Sequence, residues 1–361
     1  MPKEVVIVGA GIIGCAIARE LAARGTPAIV IDDRPVGGGA TRASAGMLAP
    51  YVEAHDRGPL LDLAVRSLDL YDDWIAALRR DVDGDVEYRR IGTLEVALDD
   101  ERATELRLAA AAHARVSTTW MSAEEARRVH PALGAVAGAL FTPGHGYVSA
   151  PQLAAALAAA AERHGARFHR AAVTAIAPDG PSYRVITSEG AVEASLVILA
   201  AGAWTNHIDG VRTPPLRPVR GQLIQLGWTG APLSSIVWGP ACYIVPRTDG
   251  SILVGATVED VGFDERTTAA GVRDLLEAAC ELLPDAGSAT FLDARAGLRP
   301  ATPDALPVIG PDPEAPGIIH AAGHYRNGVL LAPITARVVA DFVVEGTRDS
   351  CFDAFSLERF F

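Results

Sequence analysis

Short apolar runs alternate with amphipathic stretches along most of the chain, and the first such alternation sets the class. Glu4-Val5-Val6-Ile7-Val8 is a continuous apolar run of the kind that forms a strand buried on both faces. Gly9-Ala10-Gly11-Ile12-Ile13-Gly14 follows directly, and residues 12–24 then carry helical periodicity up to Gly25. Residues 27–32 supply a second apolar strand ending at Asp32. The pattern predicts a βαβ unit opened by a glycine-rich turn.

Further along, the spacing predicts a long amphipathic helix over 60–81 and strands over 86–98 interrupted at Gly92. Helices are predicted over 103–114 and 122–129, the latter opened by Ser122 with Glu125 three residues on as a capping box. The alanine-rich stretch 151–164 is a helix by propensity. Strand patterns resume at 185–187 and 196–201, and dominate 216–226, 236–246 and 251–257, with Asp249-Gly250 as a turn signal. A last buried strand over 317–323 precedes a mostly apolar helix over 328–344.

The expected fold is therefore an α/β dinucleotide-binding Rossmann-type domain with an interleaved α+β substrate domain built on an antiparallel sheet. The chain leaves the first domain and returns to it, which gives 1–85, 145–215 and 297–361 for the dinucleotide-binding part and 86–144 and 216–296 for the substrate part. A length of 361 residues suits two domains, since one core stops growing at roughly 250–300 residues.

Composition narrows the partners. With 49% apolar and 21% charged residues the chain has ample material for buried layers. A formal charge of −12 and the lack of any Lys/Arg run disfavour nucleic acid and anionic membranes, which need a positive field. No apolar run approaches the ~20 residues of a membrane helix. Cys15, Cys242, Cys280 and Cys351 form no C-x-x-C pair, so they are expected as free buried thiols, with no metal site, in a reducing compartment, the cytoplasm. A homo-oligomer is expected.

The glycine turn carries the first chemistry. Gly9 permits the tight turn, Gly11 admits backbone to a pyrophosphate, and Gly14 lets helix and strand pack closely. The helix start at Ile12 and Ile13 offers N–H groups to phosphate. Asp32, eighteen residues beyond Gly14, is placed to accept ribose hydroxyls, with Asp33 beside it. This fingerprint alone does not separate a nicotinamide from a flavin dinucleotide. The second small-residue stretch, 37–50, includes Thr41, Ser44, Ala45, Gly46 and Met47, and lets backbone amides run beside a long flat ligand, which favours a flavin; a flexible loop is the other reading. Ala201, Gly202 and Trp204 follow a returning buried strand and join the expected cofactor contacts.

Two arginines have local sequence nearly free of carboxylates: Arg299 in Gly297-Leu298-Arg299-Pro300, and Arg326 in Gly323-His324-Tyr325-Arg326-Asn327-Gly328. A guanidinium among apolar neighbours needs an anion when buried, and a substrate carboxylate is a planar bidentate match. For either residue taken singly, an exposed position or an internal ion pair is an equal reading.

These stretches, with Ser44-Ala45-Gly46-Met47-Leu48-Ala49-Pro50, Ala241-Cys242-Tyr243-Ile244-Val245-Pro246-Arg247 and Val254-Gly255-Ala256-Thr257, resemble the FAD-dependent D-amino-acid oxidase superfamily nearly end to end, and within it most closely the glycine oxidases of thiamine biosynthesis. The resemblance implies that the dinucleotide-binding part is an α/β FAD-binding Rossmann-type domain of glutathione-reductase-like form, and that the activity is flavin-dependent oxidation of glycine or another small amino acid to the imine and 2-oxo acid, with O2 reduced to H2O2. It implies that Arg299 and Arg326 hold the substrate carboxylate, that the Tyr243 hydroxyl adds a hydrogen bond, and that Met47 adjoins substrate and flavin. Ala45 and Gly46 would line the flavin, where Arg299 also reaches, and Val173 backbone would touch the adenine. The backbone of Asn327, Gly328, Val329, Leu330 and Leu331 would face the pyrimidine edge of the flavin. Sarcosine oxidases anchor flavin through a cysteine near the 297–299 region, and no cysteine stands there, so non-covalent FAD is expected.

No side chain is assigned as acid or base, because an amine that arrives neutral needs none. Arg220, Arg247 and His324 are expected to support structure, and Tyr243 alone could be a core tyrosine. A D-amino-acid, sarcosine or proline-type oxidase or dehydrogenase of the same superfamily is the alternative activity. A non-catalytic flavin-binding assembly protein is the alternative of another class.

Overall fold

The computed structural model describes residues 4–53, 58–112 and 117–361. Its first sheet has six strands. Val5–Val8 lies at the centre, with Ala28–Asp32 parallel on one side and Leu196–Leu199 parallel on the other. Arg167–Arg170 extends one edge in parallel; Ile318–Ala322, parallel, and Val308–Pro311, antiparallel, extend the other. The central strand is fully buried because helices cover one face and a small three-stranded sheet (Val173–Asp179, Ser182–Thr187, Gly190–Ala194) covers the other.

Three helices pack on the first face: Ile12–Ala23, Ala150–Arg163 and Gly328–Glu345. The Pro59–Asp81 helix lies outside them, and its buried residues Leu61, Ala64, Leu68, Tyr71, Ile75 and Leu78 recur at the three- and four-residue spacing of one helical face. Its Tyr71 and Ser67 hydroxyls donate to the Val329 and Leu330 carbonyls at 2.5 and 2.6 Å, fixing the first turn of the Gly328–Glu345 helix.

The second sheet has eight strands, in the order Thr290–Ala301, Arg217–Gly227, Ser251–Gly255, Tyr243–Pro246, Ile236–Trp238, Thr93–Ala97, Gly138–Thr142, Thr119–Ser122. All pairs are antiparallel except Ile236–Trp238 with Thr93–Ala97, which run parallel. The Ala269–Leu282 helix covers its outer face, capped by the Thr268 side chain accepting from the Gly271 N–H at 3.1 Å.

Most of the predicted elements are present, including the Ser122/Glu125 capping box on Ala123–Val129. The helix predicted over 103–114 is Asp100–Ala112; residues 113 and 114 fall outside the described set. The small three-stranded sheet was anticipated only at 185–187, and the Ala269–Leu282 helix and the Thr290–Ala301 strand were not anticipated. That long strand runs through the expected boundary at 296/297, so Arg299 sits in the eight-stranded sheet. Cys15, Cys242 and Cys351 are buried free thiols, whereas Cys280 is only half-buried, because it lies toward the outer side of its helix.

Candidate active site

Between the two sheets runs a cavity of about 710 Å³. At one end it is built by the glycine turn. The Gly9 backbone packs so closely on the Ala200 carbonyl, and Gly14 on the Gly9 carbonyl, that neither position has room for a Cβ. At Gly11 a Cβ would meet only Thr41 Oγ1, at 3.7 Å, so the backbone there is bare toward the cavity. The Asp32 carboxylate accepts the Ala10 and Arg34 N–H groups at 2.6 and 2.8 Å. Burial raises its pKa above the ordinary value, and the two backbone donors act against that. Thr41 Oγ1 accepts the Ile12 N–H at 3.1 Å and ties the second small-residue stretch to the helix start.

At the other end stand Arg299, Arg326 and Tyr243, which line the same cavity. Arg299 is half-buried, and its Nη1 donates to the Thr257 carbonyl at 3.0 Å and to the Arg220 carbonyl at 3.4 Å. Arg326 is exposed, on the turn before the Gly328–Glu345 helix. Trp238 packs against Tyr243 with ring centroids 5.4 Å apart, and Met47 packs in the same apolar group as Tyr243. Cys242 also lines the cavity, and burial pushes its thiol up to about 12, so it stays protonated.

Of the cofactor residues expected from sequence, Gly9, Gly11, Ile12, Ile13, Asp32, Asp33, Thr41, Ser44, Ala45, Gly46, Met47, Val173, Ala201, Gly202, Trp204, Arg299, Asn327, Gly328 and Val329 line the cavity. Gly14, Leu330 and Leu331 do not: Gly14 is a packing position, and the side chains of Leu330 and Leu331 point into the core. Arg220, Arg247 and His324 hold structure. Arg220 pairs with Glu259 at 2.5 Å and Asp264 at 3.0 Å, and Arg247 with Glu87 at 2.7 Å. His324 is buried against Thr335 Oγ1 at 3.1 Å, and burial lowers its pKa to about 3, so it is a neutral ring.

Sequence reasoning passed over residues 258–265 and gave Ala256 and Thr257 no role beyond their place in a matching stretch. Ala256 and Val258 line the cavity, and the segment then reaches the opposite domain: the Phe263 ring lies 4.7 Å from His207 and 6.0 Å from Trp204, and Glu265 pairs with Arg34 at 2.8 Å. Arg34 in turn stacks over Trp204 at 3.9 Å. Sequence reasoning also assigned no role to Gly221, or to Gly255 beyond its place in a matching stretch, although an isolated glycine within a strand pattern marks close approach of another group.

A dinucleotide turn with bare backbone at Gly11, a small-residue wall, and a helix start at Gly328 whose first-turn N–H groups lie outside the intrahelical ladder fit an FAD laid along the whole cavity. The fold and cavity define a flavin-dependent oxidoreductase. Residues 4–342 match the family described as DAO, FAD dependent oxidoreductase, and the chain belongs to that family. It is 37% identical to the glycine oxidase of Geobacillus kaustophilus over 367 residues, covering 99% of this chain and 97% of that one. The crystal structure of a glycine oxidase from the same organism superposes with a TM-score of 0.94 at 36% identity, covering 99% of each chain. The bifunctional protein ThiO/ThiG of a Nostoc species is 35% identical over 366 residues, and the present chain spans 55% of its length.

Proposed function

We propose that the protein oxidises the carbon–nitrogen bond of glycine: glycine, O2 and water give glyoxylate, ammonia and H2O2, by way of an imine that water hydrolyses. The observation that carries this reading is that Arg299, Arg326 and Tyr243, from three separate chain segments, converge on the cavity that the dinucleotide turn opens. Two guanidinium groups and a phenol supply a carboxylate with charge-assisted hydrogen bonds. Met47 and Trp238 give the cavity an apolar wall beside Tyr243, which suits a substrate with little or no side chain.

The glycine turn, Asp32, the Ala45–Met47 wall and the start of the Gly328–Glu345 helix would hold FAD without a covalent bond, and FAD bound there would supply two-electron oxidation of the substrate with reoxidation by O2. The protein's own residues bind and orient. The clamp fixes the α-carbon, and the first-turn amides of the Gly328–Glu345 helix place a positive dipole end where charge builds up. No side chain is required as a base, because a neutral amino group can release its lone pair as the C–H bond breaks. His324, the cavity's buried histidine, carries no charge above about pH 3.

The glycine oxidases among the relatives support glycine as the substrate, and the fused ThiO/ThiG relatives support delivery of the imine to thiazole formation in thiamine synthesis. An iminodiacetate oxidase from Chelativorans, 29% identical with a TM-score of 0.90, supports N-substituted glycines as further substrates. No described helix is long and apolar enough to cross a membrane; a homo-oligomer in the cytoplasm completes the reading. Peroxide release is measured with glycine, sarcosine, D-alanine and D-proline. Highest kcat/KM with glycine or sarcosine supports the assignment, and a clear preference for D-proline or D-alanine overturns it.

A further inference from the structure

Gly221 and Gly255 lie on adjacent strands of the eight-stranded sheet, Arg217–Gly227 and Ser251–Gly255, and both line the cavity. Glycine within a strand weakens it, since it adds chain entropy to be lost and offers no side chain to pack. Each of these two has a specific neighbour in the space its Cβ would fill. A Cβ on Gly221 would fall on the Arg299 guanidinium, with Nη2, Cζ and Nη1 all within 2.5 Å. A Cβ on Gly255 would fall 2.5 Å from the Tyr243 hydroxyl oxygen, 2.6 Å from Cζ and 2.7 Å from Cε2.

The two neighbours are the groups that the functional reading places on the substrate carboxylate. Tyr243 faces Gly255 directly across an antiparallel pair, so its ring lies down over bare backbone. Arg299 pairs across the strands with Val219 and lays its guanidinium diagonally over Gly221, two residues along, with Nη1 held by the carbonyls of Arg220 and Thr257. A side chain at either glycine would lift its partner off the sheet and into the space the substrate needs.

Resting on the amino-acid reading above, we infer that Gly221 and Gly255 are positioning residues for the carboxylate clamp, seating Arg299 and Tyr243 without touching substrate themselves. The two differ in what gives way. The guanidinium is the far end of a flexible chain, so Gly221→Ala moves Arg299 at little cost to the fold while spoiling its aim. The Tyr243 ring is rigid, so Gly255→Ala strains the strand pair as well.

The test is a pair of double-mutant cycles, G221A with R299A and G255A with Y243A, on the FAD-loaded enzyme. Two readouts are followed: KM against kcat for glycine, and the shift of the flavin absorbance on titration with glycolate, which keeps the carboxylate and lacks the amine. Each single glycine variant is expected to raise KM and weaken glycolate binding on the order of tenfold to a hundredfold. Bound FAD and its free-state spectrum stay as in the parent, which a general loss of structure would not allow. On the R299A or Y243A background the same glycine substitution changes KM by less than about twofold, because the group it displaces is gone. Parent-like KM in both singles, or full effects retained in the doubles, overturns the inference. Should G255A fail to fold, the G255A/Y243A double is expected to yield flavin-loaded protein; no recovery overturns the inference at that position. If the parent oxidises no amine, the functional reading fails separately, and the glycolate titration still decides whether the glycines seat the clamp.

Discussion

Tyr325 donates its backbone N–H to the Pro300 carbonyl at 3.1 Å, joining the residue before Arg326 to the residue after Arg299. The two arginines come from different elements, a strand of one sheet and a turn above the other, and this bond ties the two segments together beside them. Tyr325 holds it from the left-handed region, at φ 47°, which costs a non-glycine residue roughly 1–2 kcal/mol.

That conformation makes residue 325 sensitive to side-chain shape. Asparagine tolerates left-handed backbone, whereas a β-branched residue does not. Tyr325→Val is expected to lower the melting temperature and raise KM for glycine, and Tyr325→Asn to do so far less. Thermal melts and kinetics on the two variants check this, and equal behaviour of the pair contradicts the link between backbone conformation and clamp.

The arginines themselves give the larger effects. Arg299→Ala is expected to raise KM steeply, since loss of one partner of a buried charged pair costs about 2–5 kcal/mol. Arg326 is exposed, so Arg326→Ala falls at or below the lower end of that range. Arg299→Lys keeps the charge but not the planar fork, and recovers only part of the loss. Flavin content stays unchanged in Arg326→Ala, which is checked by absorbance alongside the kinetics.

The segment 256–265 closes over the cofactor cavity from the second domain. Its base is pinned by Arg220 to Glu259 and Asp264, and its tip rests on the first domain through Phe263 and through Glu265 with Arg34. Phe263→Ala is expected to speed FAD release severalfold, with kcat at saturating FAD unaltered. Flavin fluorescence after dilution measures the release, and an unchanged rate removes the segment from cofactor retention.

Acid stability depends on buried histidines. His145 is fully buried, stacked on Tyr51 at 5.6 Å, and neither ring nitrogen has a hydrogen-bond partner among the described residues. Burial, with the Arg90 guanidinium adding to it, lowers its pKa from 6.5 to about 3. Between those values the unfolded chain binds the extra proton, so stability is complete above about pH 6.5 and falls as pH drops, by up to ~1.4 kcal/mol per unit. His324 adds a second such slope. His145→Phe keeps the stack and removes one titration, so urea unfolding at pH 7.5 and 5.0 is expected to differ less than in the parent.

The dinucleotide-turn end of the cavity is legible in sequence because backbone builds it. A strand, three spaced glycines and an acid at the next strand's end leave little freedom, and Gly9, Gly11 and Asp32 stand where that pattern puts them. The substrate half depends on pairings across strands distant in the chain. That Gly221 lies under Arg299, or that Phe263 reaches His207, follows from sheet register and no local pattern carries it. Leu330 and Leu331 turn their side chains into the core, which leaves only their backbone for the role expected of that helix start. The Thr290–Ala301 strand was hidden by its exposed first third, Thr290 to Asp293, which lacks the alternation of a half-buried strand.

Reduction of the bound flavin by substrate in the absence of oxygen tests the central claim most directly. On anaerobic mixing with glycine, the oxidised flavin absorbance is expected to bleach in a single turnover, with saturation that weakens in Arg299→Ala. A flavin that stays oxidised with glycine, sarcosine, D-alanine and D-proline alike contradicts the assignment of this cavity to amino-acid oxidation.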